Sequence, residues 1–160
     1  MNDRKSLRTQ IAGAIASVRV GEEDRAVLRL SRLTAAAQPV IRDSVRELAT
    51  ANVEMLHAAV ACGAHFGVEF SVDGEDDEGR PVSIDEFEPS QRASTRIMLA
   101  FANDRPGDAE IQLDIVAAAP GQAEMALVFV NTLCWTLELL DVCEEIGYEV
   151  PDWLHLGLTA

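Results

Sequence analysis

"GQAEMALVFVNTLCWTLELLDVCEEI", residues 121–146, decides how this chain folds. At 100° per residue, Asn131, Glu138, Asp141 and Glu145 share one narrow strip, while Phe129, Val130, Leu133, Trp135, Leu137, Leu139, Leu140 and Val142 cover most of the remaining circumference. A run this long without alternation reads as helix, not strand. One neighbour cannot cover so wide an apolar arc, so the helix is either central in the fold or part of a subunit interface. A homodimer is therefore expected, with Phe129, Trp135 and Leu139 as the residues a second copy would cover. The apolar tract Met125 to Leu140 is interrupted by Asn131, Thr132, Thr136 and Glu138, and reads as too short and too polar to span a bilayer.

Upstream of this helix, "PGDAEIQL" at 106–113 is echoed by "PGQAEMAL" at 120–127. Residues 109–116 alternate like a strand, but the second copy opens a helix, which favours helix for the first. Glu88-Pro89-Ser90 starts another helix running to about Asn103, stopped by Pro106-Gly107. Residues 40–62 make a long helix with a stripe of Ile41, Val45, Leu48, Met55 and Ala59. Asn52 falls within that stripe, either fixing register and pairing or bonding to nearby backbone. Residues 22–37 form a helix with Ala26, Val27, Leu30, Leu33 and Ala37 on one face and Arg25, Arg29 and Arg32 on the other, ended by Gln38-Pro39. A short turn of helix at 151–158 closes the chain, docked by Trp153 and Leu154.

The period changes only between 68 and 84. "VEFSV" (68–72) and "RPVSI" (80–84) flank an acidic loop bounded by glycines, the pattern of a β-hairpin. The fold expected is mainly α: a single-domain helical bundle of five to six helices with one small β-hairpin at about 68–84. A length of 160 residues suits one domain.

Charge is divided unequally along the chain. Residues 1–46, a basic N-terminal helical segment, hold nine basic and five acidic side chains; residues 47–160, an acidic remainder, hold four and twenty-two, giving −14 in all. Such a remainder repels nucleic acid, and no phosphate loop or helix-turn-helix spacing is present. The arginine face of 22–37 is better suited to answer the protein's own acids, within the chain or across a dimer.

Candidate chemistry is sparse. Aligned as a calcium loop from Asp73, the hairpin loop puts Glu78 where glycine is needed and Ile84 where a bidentate Glu is needed. Its acids, Asp73, Glu75, Asp76, Asp77 and Glu78, read as a solvated turn or as a recognition tip for a basic partner. His57, Cys62 and His65 lack the i, i+4 geometry of a helical zinc site, and His57 points toward Arg42 and Arg46. No nucleophile or general-base motif occurs, so no catalytic, cofactor or metal residues are assigned. Cys62, Cys134 and Cys143 read as buried free thiols, consistent with a cytoplasmic protein that has no signal peptide. The function expected is a non-enzymatic acidic interaction factor, such as an adaptor, inhibitor, antitoxin-like or chaperone-like protein, engaging a basic protein through Asp73, Glu75, Asp76, Asp77, Glu78, Arg25, Arg29 and Arg32. The alternatives are a structural homo-oligomer subunit that uses its charge asymmetry for self-assembly, and an enzyme built on dispersed carboxylates.

Overall fold

The structure is a computed structural model and describes residues 2–61, 74–75 and 78–155. Among them are seven α-helices: α1 (Asn2–Arg19), α2 (Glu23–Thr34), α3 (Gln38–Ala61), α4 (Pro89–Ala102), α5 (Pro106–Ala117), α6 (Ala123–Ile146) and α7 (Asp152–His155). The mainly α, single-bundle expectation holds. Prolines open two of the helices: Pro89 and Pro106 stand at the first position of α4 and α5, where no amide hydrogen is required. Gly147, with φ at 68°, ends α6 in the left-handed conformation that a side chain disfavours.

The two longest helices form the centre. α3 and α6 share the most extensive contact, α4 packs on both, and α5 folds back on α4. Ile41, Val45, Leu48 and Met55 of α3 and Met125, Val128 and Phe129 of α6 are fully buried. α6 is thus central, as its wide apolar arc requires. It is 24 residues long and, by length and composition, apolar enough to cross a membrane, which corrects the reading of that tract as too short and too polar. Within the fold its buried apolar side chains are used against α3 and α4, while Leu127, Val130, Val142 and Ile146 are exposed.

α1 falls within the basic helical segment expected at 1–46, ahead of the 22–37 helix, and its own bounds are not among those read from the sequence. It buries Leu7, Ile11, Ala12, Ala14 and Ile15 against the core and packs on α2, α7 and α3. α2 turns Ala26 and Leu33 inward as expected, but Val27 is 63 % exposed.

The β-pairing is smaller and shifted. β1 (Gly74–Glu75) pairs antiparallel with β2 (Pro81–Val82), Gly74 opposite Val82 and Glu75 opposite Pro81. The first strand therefore falls on residues read as loop, while 68–72 lie outside the described residues. A single 3-10 turn, Ile84–Glu86, follows, with the Ser83 hydroxyl accepting from the Asp85 amide at 3.3 Å. Asp85 ties this segment to α4: its carboxylate meets Arg96 at 2.5 Å and its carbonyl accepts from Arg92 at 2.7 Å.

Candidate protein-interaction surface

The basic segment is largely neutralised by the rest of the same chain. From α1, Arg4 and Arg8 both grip Glu47 of α3, Arg8 through its Nε at 2.7 Å. The Glu47 side chain is only 8 % exposed, so these two guanidiniums compensate a carboxylate that burial would otherwise penalise. The Arg8 guanidinium also lies 5.3 Å from the centre of the Trp153 ring, which fixes α7 against α1. At the other end of α1, Arg19 reaches Asp141 at 3.1 Å and Glu144 at 2.6 Å on α6.

A second network joins α3 to α5. Arg42 bonds Glu110 at 2.8 Å and Asp114 at 2.6 Å, and Arg46 meets Glu110 at 2.6 Å while also pairing with Asp43. The hydrogen bonds from Arg46, followed by those from Arg42, hold the Glu110 carboxyl at about 2, against the opposing pull of partial burial. The same contact with Glu110 raises Arg46 and Arg42 above the usual guanidinium value.

The arginines expected to do this work do something else. Arg25 pairs with its neighbour Glu22 at 3.0 Å, Arg29 donates to the Gly13 carbonyl, and exposed Arg32 has no ion pair among the described residues. It is Arg4, Arg8, Arg19, Arg42 and Arg46 that answer acids of the second segment. Their signal was in the sequence: Arg4 and Arg8, like Arg42 and Arg46, stand four residues apart and so share a helix face.

The other expected sites are distributed as follows. Phe129 is fully buried inside the chain and offers nothing to a second copy; Trp135 and Leu139 are half-buried against the core. Glu78 is exposed in the hairpin turn and pairs with Arg80; Glu75 belongs to β1; Asp73, Asp76 and Asp77 lie outside the described residues. His57, on the same side of α3 as Arg42 and Arg46, donates from Nε2 to the Ala102 carbonyl of α4 at 3.1 Å. Cys143 is buried as expected, Cys134 is exposed on α6, and Cys62 and His65 lie outside the described residues. Among the described residues no three of His, Cys, Asp and Glu come together to hold a metal ion.

Three carboxylates outside these networks line one cleft. It opens between α1, α3 and residues 147–153, has a volume of about 690 Å³, and is lined by Glu54, Tyr148, Glu149, Asp152 and Trp153 beside Arg8 and Glu47. Glu54, Glu149 and Asp152 are exposed and carry no ion pair among the described residues. Turns after α6 and the four-residue α7 place these groups, a juxtaposition of α3 with the chain's end that no local pattern announces. No family model, no curated protein and no solved structure matches this chain.

Proposed function

We propose that this chain is a non-enzymatic interaction factor whose acidic surface engages a basic protein partner. The observation that carries the reading is the cleft in which Glu54, Glu149 and Asp152 stand unpaired beside Tyr148 and Trp153. Three carboxylates beside the exposed Tyr148 ring suit a lysine or arginine side chain, which gains both ion pairing and the attraction of a cation to a ring face. The net charge of −14 adds long-range attraction for a basic protein and repels nucleic acid. The acidic stretch 73–78 of the sequence adds to this negative charge.

The test uses a basic partner recovered by affinity capture and measures its association rate against ionic strength. Wild-type association slows as salt rises past about 0.15 M, where the Debye length is about 8 Å. The combined substitution Glu54→Gln, Glu149→Gln, Asp152→Asn slows it at low salt and flattens the salt dependence. An association rate indifferent both to salt and to these substitutions overturns the reading.

A further inference from the structure

We propose that the chain forms a two-fold dimer in which α2 of one protomer lies antiparallel along the C-terminal half of α6 of its partner. Two unpartnered helix faces carry matching patterns. On α2, Arg25, Leu28 and Arg32 fall within about 60° of one another on the outer face. Leu28 is 51 % exposed, Arg32 has no ion pair among the described residues, and Arg25 is held only by an exposed contact within its own helix. On α6, Glu138, Val142 and Glu145 fall within a similar arc; all three are exposed, and neither acid has an ion pair among the described residues.

The spacings coincide. Arg25 and Arg32 are seven residues apart, as are Glu138 and Glu145, which is roughly 10.5 Å along either helix. Laid antiparallel, Arg25 meets Glu145, Leu28 meets Val142 and Arg32 meets Glu138, so each cation faces an acid and the apolar side chains face each other. No other register of the two rows does this. The parallel arrangement sets Leu28 against Asp141, whose carboxylate is already engaged by Arg19.

The start of α2 also lies near the C-terminal half of α6. Arg19, at the end of α1, touches Asp141 and Glu144, so the turn that leads into α2 sits beside the C-terminal half of α6. Within one chain α2 packs on α1 and α3, which leaves the α6 row open. A second copy brings α2 to that row, and two-fold symmetry repeats the contact. The dimer expected from the width of the α6 apolar arc thus moves from buried Phe129 to the outer face of the same helix.

Light scattering coupled to gel filtration at tens of micromolar protein tests this, with far-ultraviolet circular dichroism on each variant. Wild type runs at twice the 17.3 kDa chain mass. Arg25→Glu with Arg32→Glu runs as a monomer, and so does Glu138→Arg with Glu145→Arg, because each now sets like charges together. Mixed in equal amounts, the two variants restore a dimer, since both contacts regain opposite charges. If a reversed variant loses helicity, the neutral pair Arg25→Gln and Arg32→Gln replaces it and raises the dimer dissociation constant at least about tenfold. A wild-type monomer, a reversed variant that stays dimeric, or two monomeric variants that fail to combine overturns the proposal.

Discussion

Glu110 shows what two arginines four residues apart do to one carboxylate. Arg42 and Arg46 project from the same face of α3 and both bond to it, holding its pKa at about 2 instead of 4.5. A carboxyl with a depressed folded value contributes stability in full above its unfolded value and loses it as pH falls through the folded one. The melting temperature of wild type should therefore fall between pH 4.5 and about 2 more steeply than that of Glu110→Gln, with the two curves converging at the acid end. Parallel curves across that window would remove Glu110 from the account. Asn52 is the residue whose role was most legible beforehand: within an apolar stripe only a polar partner justifies it. Fully buried, its Nδ2 donates to the Thr132 carbonyl at 3.0 Å, while its Oδ1 meets no donor. The Thr132 carbonyl also accepts from the Thr136 hydroxyl at 3.0 Å, so α3 and α6 meet at a small polar node inside the core. What a sequence could not tell is which backbone Asn52 meets, because its partner lies eighty residues away.

At the scale of elements, punctuation by proline and glycine was easy to read and packing was not. Alternation across 109–116 suggested a strand because α5 carries apolar residues on two faces: Ala109, Leu113 and Val116 are buried, while Ile111 and Ile115 are 56 % and 58 % exposed. The bounds of α1 are hard to read for the opposite reason. Its inward face of Leu7, Ile11, Ala14 and Ile15 has helical spacing, but three of its six buried apolar residues are alanine, and Asp3, Arg4, Lys5 and Arg8 crowd its first turns. The hairpin shifted because short strands are fixed by pairing and turn geometry more than by propensity. α1 also offers an element-scale test at Gly13. A glycine inside a helix costs roughly 0.5–1 kcal/mol relative to alanine, and a Cβ here would meet the end of the flexible Arg29 side chain at 2.7 Å. Arg29 is exposed and can swing aside, giving up its bond to the Gly13 carbonyl. Helix propensity outweighs one exposed hydrogen bond here, so Gly13→Ala should raise unfolding free energy by up to about 1 kcal/mol in urea titration. A loss of stability would mean that the Arg29 contact holds α2 to α1.

For the molecule as a whole, the division between a basic start and an acidic remainder is an intramolecular design before it is anything else. Arg4, Arg8 and Arg19 bind α1 to α3 and α6, and Arg42 and Arg46 bind α3 to α5, so the ion pairs run between the same helices that share the core. Because the charges cross the boundary at residue 46, neither segment is complete alone. Removing residues 1–21 would take Leu7, Ile11, Ala12, Ala14 and Ile15 from the buried cluster, each large side chain being worth roughly 1.5–3 kcal/mol. It would also remove the ion pairs that tie Arg4 and Arg8 to Glu47 of α3 and Arg19 to Asp141 and Glu144 of α6. These losses together match the whole stability of an ordinary domain, about 5–15 kcal/mol. The truncated chain should therefore show no cooperative urea transition, whereas the full chain unfolds in one step by both far-ultraviolet circular dichroism and tryptophan fluorescence. Trp153 of α7, stacked on Arg8 of α1, and Trp135 of α6, packed against the core, report from different helices, so coincident transitions require the segments to unfold together. Retained cooperative unfolding in the truncated chain would show that α1 is an accessory to a core complete without it, and that the pairing of the two charge segments has little part in folding.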